Sequence, residues 1–475
     1  MADSTGAGSQ TELRRVMGPG LLLLFVVGDI LGTGVYALTG QVAAEVGGAA
    51  WLPFLAAFLI ATITAFSYLE LVTKYPQAAG AALYAHKAFG IQFVTFLVAF
   101  VVMCSGITSA STASRFFAAN FFTAFQFSWG TAGIVVVALL FMFLLALVNF
   151  RGVGESVKLN VVLTIIEITG LLMVILVGLW AFTGGGGEVD FSRVVAFETA
   201  SDKHAFLAVT TATSLAFFAM VGFEDSVNMA EETKDPVNVF PKVLLSGLSI
   251  AGVVYVIVAI VAVALVPVGE LAASDTPLVE VVKAGAPGMP IEDILPFISM
   301  FAVSNTALIN MLMASRLIYG MARQHVLPPV LGTVHPTRRT PWVAIMFTTT
   351  IAFGLIFYVT AFANSGAIAL LGGTTSLLLL TVFAMVNVAV LVLRRDVRAA
   401  GGHFKTPTAL PVIGCLTSLY LVTPLSGRPA QQYVLACVLV GIGVVLFFIT
   451  MAINRQLGVR DAGITDPTHL GSAPD

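Results

Sequence analysis

Two of the long apolar stretches in this chain are broken near their middles, and few folds tolerate that. Residues 21–46 are interrupted at Gly32-Thr33-Gly34, and residues 206–229 at Gly222-Phe223-Glu224-Asp225. Glycine is a poor helix residue, and an acid in hydrocarbon is worse. Backbone left unpaired at membrane depth survives only where it lines a cavity or is buried in protein. Paired interruptions in corresponding halves of a membrane chain point to a binding site held between two repeats.

Composition supports a membrane setting. The 475 residues are 58% hydrophobic and only 10% charged, whereas a soluble protein carries about 25% charged residues. The net charge of −2 says nothing about nucleic acid, and with no basic patch interleaved with aromatics no nucleic-acid partner is expected. A spanning helix needs about 20 apolar residues. Twelve such runs are expected, at 20–46, 51–73, 93–122, 131–149, 159–182, 206–230, 243–266, 291–320, 342–362, 366–393, 411–426 and 432–453. The eleventh is short. The fold class expected is an all-α polytopic membrane protein, with one transmembrane domain over 17–455 between tails at 1–16 and 456–475.

Positive charges give the orientation. With the N-terminus cytoplasmic, 18 of the 23 Lys and Arg fall inside, among them Arg14, Arg15, Lys74, Arg151, Arg323, Arg394 and Arg455. Arg193, Lys203, Lys283 and Arg428 fall outside, and Arg115 lies near or inside the third span, where it is expected to snorkel to the interface. That bias predicts an even number of spans in the cell membrane, with both termini cytoplasmic. No cleavable signal peptide is expected, because the first apolar run is too long and lacks a small-residue cleavage site. Cys104, Cys415 and Cys437 sit in separate spans and are expected to be free thiols. Gly184 to Gly187 read as a flexible turn, since a phosphate loop needs a following Gly-Lys-Ser/Thr. No cofactor is expected.

The interrupted spans are the first and the sixth. Five helices separate their starts, so 17–182 and 206–395 form two repeats, with 396–455 carrying helices 11 and 12. An odd number of helices per repeat inverts the second copy, a 5+5 inverted repeat. At this point the residues resemble the amino acid–polyamine–organocation permease superfamily. The first span reads Gly28-Asp29-Ile30-Leu31-Gly32-Thr33-Gly34-Val35-Tyr36, and Tyr75-Pro76 through Gly80 to Tyr84 is similar to the family's inner loop. The sixth gives Phe217 to Glu224 and then Ala230-Glu231-Glu232-Thr233-Lys234-Asp235-Pro236. Further matches are Met321 to Pro328 and His335-Pro336 through Thr340-Pro341. The resemblance implies the LeuT-like fold and a secondary transporter of amino acids or amines.

A broken helix suits a zwitterion. Where the first span unwinds, the N-terminus of its outer half presents free N–H groups and a positive dipole end. A substrate carboxylate is expected on the amides of Gly32, Thr33 and Gly34, with the Thr33 hydroxyl as an extra donor. Carbonyls near Ile30, and near Ala219 to Val221, are expected to take the ammonium. The resemblance implies the same roles. Phe218 and Phe223 bracket the second break, Gly222 included, and are expected as gate or pocket wall.

Asp29, Glu70, Glu167, Glu224 and Asp225 fall in or near spans, where the ionised form is costly and function is the default reading. Glu224 reads as a proton-coupling acid or as a hydrogen bond that holds the loop. Glu167 stands where many relatives carry a lysine, so that mechanism does not transfer. A carboxylate there suits Na⁺ with Ser304 or Thr306, a proton, or a bond inside the bundle. Asp29 has two readings: contact with a substrate cation, or a protonated carboxyl bonded to a neighbouring helix. Asp225 is expected to cap the inner half of the sixth helix. Glu231, Glu232, Lys234 and Asp235 form a latch with Arg316, Arg323 and Arg338, or else a solvated loop.

The expected function is alternating-access transport driven by H⁺, Na⁺ or solute exchange, with export or antiport inside the same class. A non-transporting sensor is the rival of another class. An enzyme is not expected: none of the six His forms an HExxH pair, and no Ser/His/Asp set converges. The side chain recognised stays open, as does the choice between monomer and homodimer.

Overall fold

The computed structural model describes residues 17–77, 80–127, 129–151, 156–199, 203–230, 232–362, 366–396 and 402–456. The chain is nearly all helix. Helices α1 (Pro19–Ile30) and α2 (Thr33–Val46) are the two halves of the first apolar run. There follow α3 (Trp51–Lys74), α4 (Gly80–Phe89), α5 (Gln92–Phe125), α6 (Gly130–Arg151), α7 (Ser156–Phe182), α8 (Ser192–Val195) and α9 (Ala205–Ala216). After the second break come α10 (Pro236–Leu265), α11 (Val268–Ala273), α12 (Pro277–Gly285) and α13 (Ile291–Arg323). The chain closes with α14 (Trp342–Phe362), α15 (Ala367–Leu393), α16 (Ala409–Val422) and α17 (Ala430–Gln456).

Among the described residues, eleven helical segments are long and apolar enough to cross a bilayer, counting α1–α2 and the segment Ala205–Met229 as one each. The eleventh expected span is α16, which has only 14 residues. At 1.5 Å per residue that is about 21 Å, short of the roughly 30 Å hydrocarbon core. Thr423 and Pro424 stop it: the residue before a proline is pushed out of the helical region, and Thr423 is extended at φ −75°, ψ 157°.

The bundle has an inside and a rim. In the most apolar windows of α1–α2 and of α5, 78% of residues are buried, against 28% in α6 and 33% in α17. α5 runs through the middle, against α13, α15, α6 and α14. Helices in lipid gain little from burying apolar area, so close packing of small residues holds them together. Gly247 of α10 meets Val26 of α1, and Gly170 of α7 meets Ile298 and Tyr36.

Polar ties clamp the two ends. At the end carrying Pro19, Arg394 donates to both oxygens of Glu70 at 2.8 and 2.6 Å, joining α3 to the exit of α15. Glu70 also accepts from the Thr406 N–H at 2.9 Å. Here Met17 lies parallel to Thr233, with Met17 N–H on the Glu232 carbonyl and Lys234 N–H on that of Met17. At the opposite end Gly47 bridges to Phe197, and Lys203 pairs with Glu45.

One charge stands elsewhere than expected, and a second is buried in a connection. Arg115 does not snorkel. Its side chain is 4% exposed and pairs with Asp275, between α11 and α12, at 2.9 Å. Arg428, in the connection between α16 and α17, is buried. It donates to the Leu421, Gly373 and Ser214 carbonyls, the Gln432 amide oxygen and the Ser376 hydroxyl. All five guanidinium N–H groups are thereby used. The three cysteines are free, as expected.

Candidate substrate-binding site

The two breaks meet. In the first, α1 ends at Ile30 and Gly32 turns the chain at φ −53°, ψ −149° before α2 starts at Thr33. In the second, α9 tightens into a 3₁₀ turn over Phe217–Met220 and Val221 extends. Gly222 then sits at φ +124°, where side chains are strained. A Cβ on Gly222 would lie 2.6 Å from the Asp29 carbonyl oxygen, and one on Gly34 would run into Ala219. Glycine at both positions lets the breaks touch backbone to backbone.

Side chains from neighbouring helices pin them. The Tyr255 hydroxyl of α10 donates to the Ile30 carbonyl, so that acceptor keeps one free lone pair for anything else. The Tyr36 hydroxyl donates to the Glu167 carbonyl at 2.9 Å, tying α2 to α7. Inside the second break the Gly222 N–H donates to the Glu224 carboxylate at 2.9 Å. Val221 and Asp225 N–H groups return to the Phe218 and Gly222 carbonyls.

A small cavity lies between the breaks. The first contributes Asp29, Ile30, Gly32, Thr33 and Gly34, and the second Phe218, Val221, Gly222 and Asp225. Ser109 of α5 and Thr306 and Asn310 of α13 complete it. Nearly all of this lining is buried, with Val221 and Asp225 half-buried. Three lining side chains carry a buried polar atom with no partner: Asp29 Oδ2, Thr33 Oγ1 and Thr306 Oγ1. The first N–H groups of α2 have no intrahelical acceptor, and Thr33 and Gly34 in that turn both line the cavity. The site thus offers an anion cradle, two carboxyls, loose hydroxyls and an apolar wall.

Comparison with known proteins gives this geometry a family. A sequence model described as "Amino acid permease" matches residues 22–449. The chain belongs to the amino acid permease family. It is therefore a multi-pass membrane transporter and not an enzyme. The permease is 31% identical to the chloroplastic cationic amino acid transporter 9 of Arabidopsis thaliana over 69% of its own length, and spans 60% of that relative. It is 25% identical to the methylthioribose transporter of Bacillus subtilis (strain 168), covering 92% of this chain and 94% of that one. The branched-chain amino acid permease BcaP of the same strain is 24% identical, at 93% and 94% coverage.

Several of the permease's expected site residues stand apart from the cavity. Ala219 packs on Gly34. Phe223 is fully buried against Tyr68 at 5.7 Å and Phe383 at 5.2 Å, in an aromatic cluster, and does not line the cavity. Asp225 opens the 3₁₀ segment Asp225–Met229 with no side-chain cap bond, so it does not cap that half. The Ser304 hydroxyl is tied to the Met300 carbonyl of its own helix at 2.6 Å, whereas Thr306 faces the cavity. Glu70 is engaged with Arg394. Glu231 lies outside the described residues, and among the described ones no ion pair joins Glu232, Lys234 or Asp235 to Arg316, Arg323 or Arg338.

Glu167 is buried in α7 with neither carboxylate oxygen partnered. Thr164, one turn earlier, has an equally unpartnered hydroxyl and meets Gly28 of α1. Two contributors escaped the sequence reading, Ser109 and Asn310. Asn310 donates to the Thr306 carbonyl at 2.9 Å and to Ser109 at 3.4 Å. An amide within an apolar span, one of two there with Asn305, was the available signal for it.

Proposed function

We propose that the permease moves amino acids or related amines across the cell membrane by alternating access, using the cavity between the two breaks. The observation that carries this reading is the set of unpartnered buried atoms on Asp29, Thr33 and Thr306 facing one cavity at a helix N-terminus. Buried polar groups without partners are costly, and a zwitterion supplies what these lack. Its carboxylate rests on the amides of Gly32, Thr33 and Gly34, and its ammonium on the remaining lone pair of Ile30 or on the second break. Relatives named as amino acid transporters support the substrate class.

The architecture in this proposal is twelve spans, with α16 as the eleventh, in two inverted repeats of five plus two C-terminal helices. Both termini are cytoplasmic. Glu167 is the coupling group, loading H⁺ or Na⁺; Glu224, held on the Gly222 N–H, keeps the loop in shape and releases it when protonated. Import, exchange and export use the same machinery.

The test is uptake and counterflow of a radiolabelled panel of amino acids and amines in proteoliposomes, with H⁺ and Na⁺ gradients imposed separately. Gradient-stimulated uptake is expected, and Gly32→Leu, whose side chain would enter the space of Thr306, abolishes it without loss of folded protein. Binding without counterflow would instead identify a sensor, and neither binding nor flux for any solute would reject the site.

A further inference from the structure

We infer that the cavity selects amino acids with a cationic side chain, an inference that rests on the cavity being the substrate site. The reasoning is one of charge. Among the described residues, Asp29 and Asp225 are the ionisable ones in the lining, and no Lys, Arg or His joins them. Asp29 is 3% exposed, with Oδ2 unpartnered. Among the described residues Asp225 has no side-chain hydrogen-bond or ion-pair partner, whereas Glu224 beside it is engaged on Gly222. Arg115, Arg394 and Arg428 have partners outside the lining: Asp275, Glu70 and a set of carbonyls.

Asp29 and Asp225 reach the cavity from opposite breaks and lie close enough to interact, while Glu224 and Glu167, also within electrostatic reach of Asp29, stand outside the lining. Like charges at such range in a low-dielectric site repel strongly, and a cation placed between them relieves both. The third charged element is the N-terminus of α2, which favours an anion. Two carboxylates and one anion cradle match two cations and one carboxylate. That is the pattern of a dibasic amino acid. A neutral amino acid leaves one aspartate without a counter-charge, and a diamine leaves the cradle empty. Ile30, Phe218 and Val221 supply an apolar wall for the methylene stem between the two cations.

The experiment is equilibrium binding to the full-length chain in proteoliposomes, using pairs that differ chiefly in the terminal ammonium: lysine against norleucine, and ornithine against norvaline. Cadaverine probes the carboxylate. The expected result is tighter binding of each basic amino acid by about tenfold or more, since a desolvated carboxylate without its partner is penalised. Cadaverine is expected to bind more weakly than lysine. In Asp29→Asn, and separately in Asp225→Asn, the lysine-to-norleucine affinity ratio is expected to fall towards one. Equal binding of lysine and norleucine by the unaltered protein would overturn this inference while leaving the transport site standing. So would cadaverine binding as tightly as lysine, or a ratio unchanged in both variants. Binding of none of the five compounds would overturn the site reading beneath it as well.

Discussion

Glu167 offers the sharpest test at the scale of a single residue. Both carboxylate oxygens are buried without a partner, and Asp29, Tyr36 and Tyr255 lie within electrostatic reach. A group in that position gains most from binding H⁺ or Na⁺. Glu167→Gln keeps the shape and removes the charge, so gradient-driven uptake should fall to the level seen without a gradient while counterflow persists. Undiminished stimulation by the same gradient would remove Glu167 from the coupling role. Sequence identified the acid because a carboxyl in an apolar run is conspicuous. It did not separate Phe218, which lines the cavity, from Phe223, which stacks on Tyr68 and Phe383. The helical period that assigns faces is lost where the helix unwinds.

At the scale of elements, the long spans were legible because hydrocarbon demands length and apolarity together. Short helices carry no such signature. α4 read as an inner loop, yet it packs on α5 and α15, and α11 and α12 sit in a connection between spans where nothing was expected. Arg428 read as a loop charge because sequence does not reveal that carbonyls from separate helices converge on it. The Glu70–Arg394 pair shows what such ties contribute. Glu70 is 3% exposed and its partner 18%. Removing one member of a buried pair leaves the other uncompensated, and Arg394→Met is expected to cost about 3 kcal/mol, with Glu70→Gln recovering part of it in the double variant. Thermal unfolding in detergent would measure this, and additive losses in the double variant would count against a direct pairing.

For the whole molecule, the ties at the two ends are the contacts that any opening of the cavity to one side has to strain. Arg115 on α5 holds Asp275 of the α11–α12 connection over one end. Arg115 is 4% exposed and Asp275 40%, so the pair joins a buried charge to one at the surface, and its loss biases an equilibrium between closed and open. With Cys104, Cys415 and Cys437 replaced, a thiol at Ser109→Cys should react with a membrane-impermeant reagent roughly threefold faster once Asp275→Asn is added. An unchanged rate would mean that this ion pair does not guard the path.

The opposite end holds a quieter constraint. Met17, two residues before α1, and Thr233, beyond the second break, share a two-bond backbone ladder. The lower halves of both interrupted spans are thus sewn together along one seam, with no side chain needed. While that ladder holds, the two lower halves move together at this doorway.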